Sequence, residues 1–113
     1  MEVAVARSGT REYRQVAFTV LRWYLELDSD TVGFDSSIVS YRVDVAHALA
    51  VLSAQEQQVL MSIHRDGLTA KDATSLARVT HSRPDEYVTA AEVKLGRELR
   101  RRRLEDVVEY LTT

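Results

Sequence analysis

Helix-breaking residues are rare in this chain, and their rarity limits the folds that it can adopt. The 113 residues include one proline and four glycines, and segments that alternate β-branched with polar residues are scarce. Apolar residues instead recur every three or four positions over long stretches, as they do in amphipathic helices. The sequence therefore predicts an all-α protein, a small helical domain of about five helices around one hydrophobic core.

The residue inventory excludes several classes of chemistry. The chain has no cysteine, so disulfides and thiolate catalysis are excluded. Its histidines, His47, His64 and His81, lack the spacing of metal ligands. No glycine-rich phosphate loop, nucleophile elbow or evident pair of catalytic carboxylates is present. We therefore expect no metal, no cofactor and no enzymatic activity.

The distribution of apolar and charged residues bears on location and partners. No apolar run approaches the roughly 20 residues needed to cross a bilayer, and the N-terminus lacks the pattern of a signal peptide. The formal net charge is −2, so a role in binding nucleic acid must rest on local charge rather than on overall composition. We expect a cytoplasmic protein without membrane contact.

The hydrophobic pattern divides the chain into an N-terminal helix and loop, residues 1–37, and a second unit, residues 38–113. The first helix is predicted over Thr10–Leu27, and it is apolar around most of its circumference, which indicates burial on two sides. One of its apolar rows is expected to contact another helix or a second copy of the chain, and consists of Phe18, Leu21 and Leu25. The turn-forming residues of 28–37 predict a loop, and a second helix follows over 38–51, capped by Ser36 or Ser37.

Residues that favour the starts and ends of helices define the predicted helices in the remainder of the chain. The sequence "SAQE", residues 53–56, is a capping box that begins a third helix. Gly67 suits the left-handed position that ends this helix, and Thr69 is expected to cap a short fourth helix over 70–79. The inward positions of that fourth helix are predicted to be Ala73, Leu76 and Ala77. A last helix is predicted over about 83–111, with Ser82 as its cap and Pro84 in its first turn.

An ordered series of small and apolar residues runs through the middle of the chain: Ala48, Leu49 and Leu52, then Val59 and Leu60, then Gly67, Leu68 and Thr69, then Ala73, Leu76 and Val79. In this order and spacing, residues 42–104 resemble region 4 of bacterial and phage sigma factors, a domain that reads promoter DNA. The resemblance implies a helix-turn-helix whose last helix enters the DNA major groove. It also implies contact with RNA polymerase or a regulatory protein.

The resemblance assigns candidate contacts to double-stranded DNA at the starts of the last two predicted helices and along the final one. These candidates are Thr69, Lys71, Arg83, Tyr87, Lys94 and Arg97. Departures from the family are equally clear. Arg78 stands where the family has a glycine, and Asp85, Glu86 and Glu92 occupy or adjoin the turns in which the family exposes basic residues. No counterpart of the promoter-melting region 2 is present, so we do not expect a complete sigma factor.

These departures leave three functions open, of which the last is a helical scaffold with no nucleic-acid role. The first is a transcription-related protein that contacts DNA, RNA polymerase, or both. The second is a helical interaction module that does not bind DNA, and that docks on polymerase or a regulator or forms a homodimer. Carboxylates at the start of the last helix suit the helix dipole but repel phosphate, so the fold is better supported than the DNA contact.

A strongly basic segment, "KLGRELRRRR" at residues 94–103, carries six basic side chains and one acidic one. Its four final residues, Arg100, Arg101, Arg102 and Arg103, cover every side of a helical turn and cannot form one flat basic face. They separate two apolar stripes that are out of phase. Either the helix bends or breaks at 100–103, or the second stripe faces another partner, for which the N-terminal helix is the candidate. We therefore assign the four arginines to an interface.

Overall fold

A computed structural model describes the backbone of residues 2–27 and 36–112 and the side chains of residues 9–27 and 37–111. Within these ranges the chain is helical, with no strand, which confirms the predicted all-α class. The helices are α1 (Glu2–Glu26), α2 (Ser36–Leu49), α3 (Ala54–His64), α4 (Ala70–Leu76), α5 (Pro84–Arg101) and α6 (Leu104–Thr112).

The predicted signals around α3 and α4 are confirmed. The Ser53 hydroxyl accepts a hydrogen bond from the Glu56 amide at 3.1 Å, and the Glu56 carboxylate accepts one from the Ser53 amide at 2.8 Å. Gly67 has a φ of 75° after the end of α3. Thr69 caps α4 by accepting from the Asp72 amide at 3.1 Å. Each of these signals acts over three or four residues, which is why the local sequence suffices to predict it.

Other predicted boundaries differ from the structure. Helix α1 begins at Glu2, eight residues before the predicted start, and continues through Gly9 without a break. Helix α4 ends at Leu76, which is 60% exposed and does not face inward as predicted. The cap of α5 is Arg83, which makes no side-chain capping bond, and not Ser82. The predicted loop falls largely on residues 28–35, outside the described ranges. Helix α2 begins at Ser36, two residues before the predicted start, so both predicted cap residues, Ser36 and Ser37, lie within the helix.

The basic segment contains the break that the two apolar stripes require. Helix α5 ends at Arg101, and Arg103 adopts a φ of 58° before α6 begins at Leu104. This left-handed residue turns the chain so that the second stripe packs on α1 and α2, with Leu104 and Val108 buried. The helix therefore breaks, and the N-terminal helix of the same chain is the partner of the second stripe.

Among the described helices, α1 and α5 share the most extensive contact. Gly96 lies at their crossing, where a Cβ atom would overlap the backbone carbonyl of Tyr13. Only glycine allows two backbones to approach this closely without displacement. The core on either side contains Val16, Ala17, Val20 and Leu21 of α1 and Val88, Ala91, Leu95 and Leu99 of α5.

A buried tyrosine ties α2 to α1. The Tyr41 hydroxyl donates a hydrogen bond to the Val20 carbonyl at 2.7 Å, and the residue is only 1% exposed. Burial raises the pKa of Tyr41 well above its ordinary value, because the charged phenolate would lose its hydration. The hydroxyl is therefore neutral and acts as a fixed donor across the helix interface.

Candidate functional site

The segment predicted to contact DNA consists of α4, a connector and α5. The connector begins with Arg78 at a φ of 59°, the backbone conformation that glycine adopts most easily. Two hydrogen bonds close the end of α4: the Val79 amide donates to Thr74 at 2.9 Å, and the Arg78 amide donates to Ser75 at 3.1 Å. This pair of bonds is a Schellman motif. An arginine therefore forms a left-handed turn at the position where the sequence resemblance implies a glycine.

Two candidate DNA contacts lie at the start of α4. The Thr69 hydroxyl accepts one hydrogen bond as the helix cap, so it can still donate one hydrogen bond and accept one more. Lys71 is exposed and, within the described ranges, makes no ion pair. This end of the surface keeps one available cation.

The two candidate DNA contacts at the start of α5 lie beside acidic side chains. The Arg83 guanidinium donates to the Glu86 carboxylate at 2.9 Å. Tyr87 is half-buried, and its ring packs against that of His81 with centroids 5.7 Å apart. Asp85 is exposed in the same turn, and its carboxylate makes no hydrogen bond or ion pair with the described residues. The first turn of α5 therefore presents more negative than positive charge.

The two remaining candidate DNA contacts, Lys94 and Arg97, lie farther along α5 and have different neighbours. The Lys94 ammonium donates to both Glu56 carboxylate oxygens, at 3.0 and 3.1 Å, and so connects α5 to the capping box of α3. Burial favours a higher pKa for Glu56, but hydrogen bonds from Ser53 and Lys94 outweigh it, so the pKa of Glu56 lies below its ordinary value. Arg97 instead lies over the Tyr13 ring, 5.4 Å from its centroid, and pairs with no carboxylate of the described chain.

All four arginines of the predicted interface are paired within the chain. Arg100 bonds to Glu12 and, at 2.8 Å, to Glu105, and its pKa is raised by these bonds. Arg101 and Arg102 share Glu98, at 2.5 and 2.7 Å. Arg103 bonds to Asp106 at 3.1 Å. The run is a self-paired joint between α5 and α6.

The shared carboxylate of this joint is strongly perturbed. Hydrogen bonds from Arg101, and then from Arg102, lower the pKa of Glu98 to about 2. The carboxylate consequently remains ionised through the whole range in which most proteins are folded. Sequence reasoning did not assign Glu98 to this joint.

The apolar row of α1 that was predicted to form an interface is divided by the fold. Leu21 is fully buried in this chain's own core, and Leu25 is half-buried. Phe18 is 43% exposed and contacts the His64 ring edge-on, with centroids 4.9 Å apart. Phe18 is thus the member of this row that remains largely accessible.

A buried carboxylate that sequence reasoning placed near the DNA-facing turns lies elsewhere. Glu92 is 1% exposed, and it bonds to Arg14 of α1 and to His64 of α3, each at 3.0 Å. The cluster joins α1, α3 and α5, and it satisfies a charge that would otherwise be costly to bury. The signal for it was present, because Val88, Glu92, Leu95 and Leu99 follow the spacing of a buried helix stripe.

The outward side of α5 carries an open groove of about 550 Å³. Asp85 and Glu86 lie at one end, and Lys94 and Arg97 lie at the other. Between these ends the groove is lined by small, uncharged side chains. The described residues that line it there are Thr89, Ala90 and Val93 of α5 and Thr10 of α1. Within the described ranges, Asp85 and Arg97 are the opposite charges at the two ends that make no ion pair.

Comparisons of the chain with models of protein families, with curated proteins and with solved structures return no match. In the described part of the chain, no group of His, Asp and Glu side chains could hold a metal ion. The described helices include none with the length and apolar character needed to span a bilayer. The function must therefore be inferred from the charge and shape of the surface itself.

Proposed function

We propose that this chain is a transcription-related protein that resembles sigma factor region 4 and acts by contacting a protein, either RNA polymerase or a regulator of transcription. The observation that carries the proposal is the pairing of its basic side chains. Arg83, Lys94 and the four arginines of residues 100–103 each hold a carboxylate of this chain within hydrogen-bond distance.

Internal pairing weakens a DNA contact for an electrostatic reason. Exposed ion pairs contribute only about 0–1 kcal/mol each, so phosphate could compete for the cation. The displaced carboxylate would nevertheless stay close to the phosphate and repel it, which reduces the gain from counterion release. Protein surfaces of mixed charge have no such conflict, because a partner can complement both signs.

Duplex DNA is the second candidate, and separate observations favour it. Lys71, Arg78 and Arg97 are exposed and make no ion pair within the described ranges. The Schellman turn at Arg78 also supports a backbone path between α4 and α5 like that of the resembled family. A weak, phosphate-directed contact through these residues remains compatible with protein contact by α5.

Parallel titrations of the full chain, labelled at an introduced surface cysteine, test the two candidates. Saturable binding to purified RNA polymerase core enzyme, with duplex affinity that is weak and nearly independent of salt, is the expected result. A duplex affinity that falls by orders of magnitude between about 50 and 200 mM salt, without polymerase binding, would overturn the proposal. Replacement of Arg100–Arg103 by Gln serves as a control, because paired arginines should contribute little to either affinity.

A further inference from the structure

The groove on the outward side of α5 has a regular construction. Asp85, Thr89, Val93 and Arg97 form one row at four-residue spacing, and Glu86, Ala90 and Lys94 form a second row parallel to it. Rows at this spacing are the ridges that helices use when they pack, and the space between two such ridges receives a ridge of another helix. The small, uncharged side chains at its centre permit close approach.

We propose that this groove binds one amphipathic helix of a partner protein, antiparallel to α5. The occupant carries an acidic residue near its N-terminal end, apolar residues at the two following four-residue steps, and a basic residue one step later. Its acidic residue meets Arg97, its apolar residues lie over Ala90 and Val93, and its basic residue meets Asp85.

The charges at the groove ends determine which charges the occupant helix carries and in which direction it binds. Asp85 and Arg97 are separated by twelve positions, which corresponds to about 18 Å along a helix. Neither side chain has an ion-pair partner among the described residues, and the Tyr13 ring holds the Arg97 guanidinium at the groove. A helix is stabilised by acidic residues at its N-terminus and basic residues at its C-terminus. An antiparallel occupant has this favourable arrangement of charges, and its acidic and basic residues then also pair with Arg97 and Asp85.

Nucleic acid fits the same groove less well. A phosphate backbone would place negative charge near Asp85 and Glu86 as well as near Arg97, because its charges repeat along the whole duplex. The floor also offers a phosphate no positive charge, because its lining residues, Thr10, Thr89, Ala90 and Val93, are uncharged. A helix with opposite charges at its ends matches all three parts of the groove.

This inference deepens the proposed protein contact, and it depends on that proposal only in requiring a protein partner. The test uses two fluorescein-labelled, side-chain-stapled helical peptides of about five turns. One has the charge order described above, and the other has the acidic and basic residues exchanged. Fluorescence anisotropy measures their affinity for the full wild-type chain and for the variant that combines Asp85→Arg with Arg97→Glu. Both substituted positions are exposed, and circular dichroism verifies that the variant is folded.

The wild-type chain should bind the first peptide about tenfold more tightly than the second, and the charge-exchanged variant should reverse that preference. A matched control combines Arg22→Glu with Glu26→Arg, an exposed pair on α1 remote from the groove, and should leave the preference unchanged. Equal affinities, no binding of either peptide, or a preference that persists in the variant would refute the inference.

Three further outcomes separate this inference from the broader proposal. If a DNA duplex displaces the first peptide and loses affinity on Arg97→Glu, the groove is a DNA surface and the inference is wrong. If the peptides fail while RNA polymerase still binds the chain, the groove inference fails and the proposed function stands. Selective peptide binding without polymerase binding supports the groove and contradicts polymerase as the partner.

Discussion

Two helical glycines provide a direct test of the close crossing between α1 and α5. Gly96 lies where a Cβ atom would overlap the Tyr13 carbonyl, whereas a Cβ atom on Gly9 would meet nothing within 4 Å. Replacing either glycine by alanine gains about 1 kcal/mol of helix propensity. At Gly9 this gain stands alone. At Gly96 it is opposed by overpacking, which typically costs about 1–3 kcal/mol and occasionally more.

The cost at Gly96 should fall at or above the upper end of that range. The overlapping atoms belong to the backbone of α1, so rotation of a side chain cannot relieve the overlap, and the two helices must separate. We therefore expect Gly96→Ala to lower the free energy of unfolding by about 2 kcal/mol, after the propensity gain. Gly9→Ala should raise it by up to about 1 kcal/mol.

Urea unfolding followed by circular dichroism measures both changes. With a slope of about 1–3 kcal/mol per molar urea for a small protein, the two variants should differ in midpoint by about 1 M or more. A Gly96→Ala variant as stable as Gly9→Ala would refute the packing argument. A similar loss in both variants would also contradict it, because it would show that the crossing is not the cause.

Three further substitutions test single interactions. Arg78→Gly should raise the free energy of unfolding by about 1 kcal/mol, because it relieves a left-handed residue; an unchanged urea midpoint would contradict this. Tyr41→Phe should lower it by about 1 kcal/mol through loss of the bond to Val20, and an unaltered thermal midpoint would argue against that bond. Glu98, with a pKa of about 2 against an ordinary value of 4.5, stabilises the fold above pH 4.5, and this contribution is lost as the pH falls from 4.5 toward 2. Acid titration of Glu98→Gln should show a shallower loss over that window than the wild type, and identical slopes would disprove the assignment.

The accuracy of the sequence predictions followed the range of the interaction involved. The Ser53–Glu56 box, the Thr69 cap and the left-handed Gly67 depend on neighbours within a few residues, and all three are confirmed. Arg78 and Arg103 adopt the same left-handed backbone without a glycine. Nothing in their side chains indicates it, because the packing of the helices on either side imposes the turn.

The success of the predictions for the candidate surface also depended on the range of the interactions. The sequence identified which side chains are basic, and it indicated that the arginine run separates two apolar stripes. It did not reveal which carboxylates would neutralise those cations, since Glu12 with Arg100 and Glu56 with Lys94 are pairs between distant segments. Glu92 is the clearest case, because it is buried beside an apolar stripe, whereas its charge suggested exposure near the DNA-facing turns.

By itself the sequence determined the helical class, the caps of α3 and α4, and the phase change that breaks the last predicted helix. These features follow from periodicity and from hydrogen bonds within a few residues, which any folded context preserves. Only the tertiary structure decided that α1 lies against α5 at Gly96 and that Glu92 is buried between two other helices. It also decided that Asp85 and Arg97 lie at opposite ends of one groove without an ion-pair partner among the described residues. Charge on a surface depends on which distant segments meet there, and that meeting is a property of the fold.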